Sequence, residues 1–115
     1  MRKSFIPAGF SMAQCEYAWT SFDTNAKVFD WSKNREEDEK YRWHPTQKPK
    51  SLYRWLLANY AKKGDRILDT HLGSGNSRQV AYESGFEFVG IELNEEYFKK
   101  GVEDFERSAE QLTLF

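Results

Sequence analysis

One nine-residue stretch carries the groups that could hold a charged small molecule: Asp69-Thr70-His71-Leu72-Gly73-Ser74-Gly75-Asn76-Ser77. It joins a carboxylate to two glycines. Lacking a Cβ, Gly73 and Gly75 let a ligand approach the main chain and let the main chain turn through positive φ. A helix starting just behind them presents unpaired N–H groups and the positive end of its dipole, which suits an anionic group. A second carboxylate, Glu92, lies 19 residues after Gly73, at the end of a later apolar run. That is close to the spacing at which an acid following a second strand reaches a ribose hydroxyl. A carboxylate is an acceptor-only partner, fit for a diol or an ammonium group. Two glycines and one acid point to a nucleotide-type site without naming its ligand. Taken alone, the glycines could equally serve a tight strand-to-helix turn, and Asp69 could be a turn cap.

For these residues to converge, Asp69 must end a strand and Gly75 must open a helix. The flanking sequence agrees. Asp65 to Thr70 reads as a short buried strand, Asn76 to Glu83 as a short helix stopped by Ser84-Gly85, and Phe86 to Leu93 as a second strand. Asn94 is a helix N-cap candidate, with Glu95 and Glu96 suited to the first turn. Phe98, Val102, Phe105, Ala109 and Leu112 then recur on one face of a long helix. Upstream, Leu52, Trp55, Leu56 and Tyr60 mark a helix over Lys50 to Lys62, with Gly64 placed to end it. Pro45 and Pro49 make His44-Pro45-Thr46-Gln47-Lys48-Pro49 a rigid extended loop before that helix. Farther back, Cys15 to Phe22 and Lys27 to Trp31 are strand candidates joined by Asp23-Thr24-Asn25, a β-hairpin. The charge run Ser32 to Lys40 reads as a solvated loop or short exposed helix.

The predicted fold is therefore α/β: a partial, Rossmann-like open parallel sheet with flanking helices and an N-terminal hairpin on one edge. The expected division is an arm, hairpin and charged loop over residues 1–43 and a ligand-binding α/β domain over residues 44–115. Two parallel strands make a very small sheet with an unpaired edge, so the chain reads like part of a larger layout.

Composition narrows the function classes. The chain has 115 residues, 30% of them charged, with a net charge of −1, which argues against strong nucleic-acid binding by this chain alone. Cys15 is the single cysteine, so neither an intrachain disulfide nor a cysteine-based zinc cluster can form. His44 and His71 come with no third-ligand pattern, and no metal is expected. No apolar run approaches membrane-spanning length, and a signal peptide is not expected. A cytoplasmic protein is anticipated.

Three stretches together resemble the DNA amino-methyltransferases, which methylate adenine N6 or cytosine N4: His44-Pro45-Thr46-Gln47-Lys48-Pro49, Leu68 to Gly75, and Gly90-Ile91-Glu92-Leu93-Asn94. Their order is that of the permuted branch, in which the cofactor half follows the catalytic half. The proline-flanked stretch is the most specific of the three. The resemblance implies S-adenosylmethionine as cofactor. It implies that Asp69, Gly73, Ser74 and Gly75 line its methionine and ribose side, that Glu92 accepts from both ribose hydroxyls, and that Thr46 and Lys48 contact the methionine end. It also exposes a departure. The family's catalytic motif is an Asp, Asn or Ser followed by two prolines and an aromatic, and the only prolines here are Pro7, Pro45 and Pro49. No catalytic residue is therefore assigned. The chain resembles the cofactor-binding half of a site-specific DNA methyltransferase of the restriction-modification type. Such a half would be inactive alone and would reach DNA only through a complementary catalytic chain, with self-association open. The alternative is a non-catalytic remnant or regulatory module that binds S-adenosylmethionine or a protein partner. A dinucleotide oxidoreductase fragment is disfavoured, because Gly73-Ser74-Gly75-Asn76-Ser77-Arg78 lacks the third glycine of that fingerprint.

Overall fold

The computed structural model describes residues 18–31, 36–37, 40, 42–44 and 47–113. Five elements follow one another: α1 (Lys50–Tyr60), β1 (Arg66–Asp69), α2 (Asn76–Glu83), β2 (Glu87–Gly90) and α3 (Glu95–Thr113). β1 and β2 form a parallel two-stranded sheet, with Ile67 opposite Phe88, Leu68 opposite Val89 and Asp69 opposite Gly90. The crossover between them is α2, which packs on β2 and on both other helices. A strand, a helical return and a parallel strand make the unit anticipated for an open α/β sheet.

The local signals act largely as read. Asn94 caps α3, its Oδ1 accepting the Tyr97 N–H at 3.0 Å. Gly85, at φ +80°, closes α2: its own N–H reaches Tyr82 O and the following Phe86 N–H reaches Ala81 O. α1 ends sooner than Gly64 would have it. Ala61 already turns extended at ψ 147°, and Gly64 (φ +92°) serves the next turn, where Asp65 Oδ2 accepts the Lys62 N–H at 2.8 Å.

Val80 and Ala81 of α2 are fully buried, with Leu52 and Leu72 close to it, so the core lies between α2, α1 and the glycine turn. α3 joins it through Phe105, whose ring meets Tyr82 edge-on at 5.2 Å and carries the Arg78 guanidinium 3.8 Å above it. Phe98, expected on the buried face of α3, is exposed, whereas Gly101 is buried. The inward face of α3 combines the Phe105 ring with close approach of Gly101 to the glycine turn.

The N-terminal hairpin is a correction. Residues 18–31 contain no strand, and Cys15 to Tyr17 lie outside the described residues. The segment lays its aromatics on α1 instead, Phe29 against Trp55 at 5.6 Å and Phe22 stacked on Tyr60 at 5.2 Å. Strand propensity depends on a sheet to join, and the aromatic face of α1 is what this segment finds. In the charge run, Glu36 and Glu37 are helical and exposed, and Lys40 pairs with Glu37 at 3.0 Å. No helix among the described residues is long and apolar enough to cross a membrane.

Candidate functional site

The site forms where β1 and β2 end. Asp69 is the last residue of β1, and its carbonyl accepts the Ile91 N–H at 2.9 Å, one step beyond β2. Ile91 in turn accepts the Leu72 N–H at 2.9 Å, which carries the β1–α2 connection across the end of β2. Gly73 and Gly75 take φ of +57° and +83°, conformations that side chains with a Cβ rarely adopt, and Gly75 is the N-cap of α2. No side chain caps that helix end. The first N–H groups of α2 therefore keep the donor capacity of a helix start.

Glu92 closes the turn from the other strand. Its Oε1 accepts the Gly73 N–H at 2.9 Å and its Oε2 the Asn94 N–H at 2.8 Å. The Asn94 N–H does most to hold the carboxyl below its ordinary 4.5; partial desolvation opposes it, and the Gly73 N–H and the His44 ring assist. The Leu93 N–H also leans on the carboxylate, and of its four acceptor positions one remains for a ligand. Asp69 is committed differently. Its Oδ2 accepts the Ser77 hydroxyl at 2.5 Å and its Oδ1 the His71 N–H at 3.0 Å, which fastens β1 to the first turn of α2. Asp69 thus caps the turn as well as facing the site. Ser74 is buried, and its carbonyl would lie 3.3 Å from a Cβ placed on Gly101, so α3 presses directly on the back of the turn.

The loop before α1 forms the front wall. Gln47 folds it by accepting the Trp43 and His44 N–H groups on its Oε1 at 3.0 and 3.1 Å. The His44 ring then stands beside Gly73, where a Cβ would be 3.6 Å from it, and meets the Tyr97 ring at 4.3 Å. The exposed residue Lys48 has its carbonyl held by Asn76 Nδ2 at 2.9 Å. That bond ties the proline loop to the start of α2. Thr46 lies outside the described residues. The structure therefore brings together Lys48, Asp69, Gly73, Ser74, Gly75 and Glu92 around one turn.

Sequence reading missed four contributors. In the sequence Asn76 reads as the start of a helix; in the structure it is buried and links the two loops. His44 is legible as the first residue of the proline-flanked stretch, but nothing local places its ring beside Gly73. Gly101 carried no signal beyond a glycine at an inward helix position. Tyr53, half-buried on α1, has its phenol pushed up to about 12 by burial, with the negative charge of Asp69 adding to it. Among the described residues no three His, Cys, Asp or Glu side chains gather as a metal site.

A protein-family model, N6_N4_Mtase, described as DNA methylase, matches residues 14–103. The DNA adenine methyltransferase YhdJ of Escherichia coli is 40% identical over 75 residues, which are 65% of this chain and 26% of that protein. The type II methyltransferases M2.DpnII of Streptococcus pneumoniae and M2.LlaDCHI of Lactococcus lactis are 45% and 41% identical over 56 residues, 49% of this chain and 21% of each. The chain thus spans about a quarter of these relatives or less. No solved structure gives a significant match.

Proposed function

Because this chain belongs to the DNA methylase family, we propose that it is the S-adenosylmethionine-binding half of a DNA amino-methyltransferase acting on adenine N6 or cytosine N4. Transfer would then require a complementary polypeptide. The observation that carries the reading is the Glu92 carboxylate, held at the glycine turn by the Gly73 and Asn94 N–H groups. A carboxylate so oriented at the end of the second strand fits a ribose hydroxyl. The uncapped start of α2 fits the cofactor's carboxylate, as does the Lys48 ammonium. Ser74 and the two glycines line that turn, and Thr46 is assigned to the cofactor's methionine end by the family resemblance alone.

Bound S-adenosylmethionine supplies an electrophilic methyl group on a sulfonium. This chain's part is to hold that donor and shield it. His44 and Tyr97 form a ring wall beside the turn. Asp69 maintains the turn through Ser77 and His71. What the chain lacks is the paired-proline motif that accepts hydrogens from the exocyclic amine, which is a poor nucleophile, and stacks on the flipped base. Its three prolines are never adjacent. The same lack leaves the non-catalytic reading, a donor-binding module or remnant, as the alternative.

Titration calorimetry of the purified chain with S-adenosylmethionine tests the proposal, together with a methyl-transfer assay on DNA. Saturable binding without transfer is expected. A folded chain that binds no S-adenosylmethionine refutes the cofactor reading. Methyl transfer to adenine or cytosine by the chain alone refutes the half-enzyme reading.

A further inference from the structure

We propose that the cleft lined by all three helices is a binding site for a compact oligophosphate. Its volume is about 610 Å³, the size of a small-molecule site. Gln79 and Glu83 line it from α2, Lys50 and Arg54 from α1, and Lys100, Asp104 and Arg107 from α3. Lys40, Arg42 and Trp43 add a wall from the segment before α1. None of Lys48, Asp69, Gly73, Ser74, Gly75 and Glu92 lines it, so the cleft is separate from the glycine turn and independent of what that turn binds.

Two observations point to an anion. The first is Gln79, which is 6% exposed and whose side-chain amide makes no hydrogen bond among the described residues. Every fully enclosed side-chain nitrogen or oxygen among them has a partner. The little surface that Gln79 keeps is therefore at its amide, which opens into the cleft. A nearly buried amide without a protein partner is costly unless something in the cleft meets it, and its NH2 offers two donors. The second observation is charge. Six basic and three acidic side chains line the cleft. Each acid already has a cation: Glu37 has Lys40 at 3.0 Å, Glu83 has Arg54 at 3.2 Å and Asp104 has Arg107 at 3.6 Å. The cations outside those pairs are Arg42, Lys50 and Lys100, an excess of three positive charges. The ammonium of Lys100 lies 4.8 Å from the centre of the Trp43 ring, which keeps it at the wall. The chain as a whole has a net charge of −1, so this excess is local.

Charge and shape together choose the ligand. An excess of three calls for a multiply charged anion, and a cleft of this size calls for one whose charges lie close together. An oligophosphate carries several charges within a few bonds, and guanidinium, ammonium and amide groups all donate well to its oxygens. An acidic peptide brings its carboxylates on separate flexible side chains and must order each of them. A DNA duplex carries its phosphates on a convex surface and meets a concave cleft only at the rim. Free tripolyphosphate and the tail of a nucleoside triphosphate share the required chemistry.

The test is titration calorimetry of the full chain with sodium tripolyphosphate and, separately, with ATP. Saturable binding at one site is expected, weakened several-fold by added salt. Equal affinities assign the site to the free oligophosphate, and tighter ATP assigns it to a nucleotide. Lys50→Gln together with Lys100→Gln should weaken binding about tenfold, and Gln79→Leu about fivefold. Lys62→Gln together with Lys63→Gln removes the same charge from exposed lysines outside the cleft and should change the affinity less than about twofold. The Gln79 side-chain NH2 signals should shift as tripolyphosphate saturates. The lysine pairs decide the matter even where Gln79→Leu unfolds the chain. Absence of saturable binding overturns the proposal, as does binding that both lysine pairs weaken alike or that leaves the Gln79 signals in place. Binding of a DNA duplex or an oligoglutamate without tripolyphosphate binding overturns it as well. So does displacement of tripolyphosphate by S-adenosylmethionine, which would put the anion at the glycine turn. The affinity for S-adenosylmethionine should be the same with and without tripolyphosphate, so failure of one site leaves the other standing.

Discussion

Replacing Glu92 by alanine removes one side chain and strands two donors. The Gly73 N–H sits in a partly buried position 2.9 Å from Oε1, and the Asn94 N–H in an exposed one 2.8 Å from Oε2. Water replaces the second partner readily, so the first governs the loss. A hydrogen bond to a charged acceptor is worth about 1.5–3 kcal/mol, and exposure lowers that figure. For stability the expected cost is about 1–2 kcal/mol, with Tm falling roughly 4–8 °C per kcal/mol for a domain of this size. For ligand binding, on the proposed reading the charge-assisted contact to the ribose is lost, and the turn is no longer held. An affinity loss of about 1–3 kcal/mol corresponds to roughly 5- to 150-fold in Kd. Glu92→Gln should fall between, because its amide can accept from one N–H but sets a donor against the other. Calorimetry reads the affinity and circular dichroism the melting. An alanine variant with unchanged Kd and unchanged Tm would refute both the ligand role and the bracing of the turn.

Other expectations follow from the same geometry. The carboxyl of Glu92 titrates below 4.5 in the folded chain, so its contribution is complete above that value and is lost as pH falls through the lower folded one; a melting series from pH 6 to 3 should show a step that is missing in Glu92→Gln. Asn76→Ala frees the Lys48 carbonyl and should cost about 1 kcal/mol, with proteolysis in the proline loop accelerating well before global unfolding. Gly75→Ala forces a Cβ into φ +83° and should lower stability by about 1–2 kcal/mol, seen in chemical denaturation as a lower midpoint with unchanged slope. Tyr53 should ionise near 12, so one phenol should titrate late by ultraviolet absorbance and disappear from that position in Tyr53→Phe.

Much of this protein was legible one residue at a time. Asn94, Gly85 and the pair Gly73 and Gly75 are governed by local rules, in which a side chain caps its own helix or a missing Cβ permits a left-handed turn, and neighbours in sequence suffice to read them. The distance from Gly73 to Glu92 was equally readable, because a short helix and a four-residue strand fix how far the chain travels before it returns to the same end of the sheet. Contacts between segments that approach from different directions were not readable. Nothing local to Asn76 says that its amide meets the Lys48 carbonyl, or that Gly101 lets α3 press against Ser74, or that His44 stands beside Gly73. The hairpin failed for the same reason in reverse: Cys15 to Trp31 has strand-like residues, but pairing is a property of two segments, and Phe22 and Phe29 rest on the α1 aromatics. Sequence alone determined the turn chemistry and the order of elements, since those depend on backbone conformation over a few residues. Tertiary structure decided which groups face one another across the turn and which face of the sheet the described residues leave exposed, since those depend on how the helices pack.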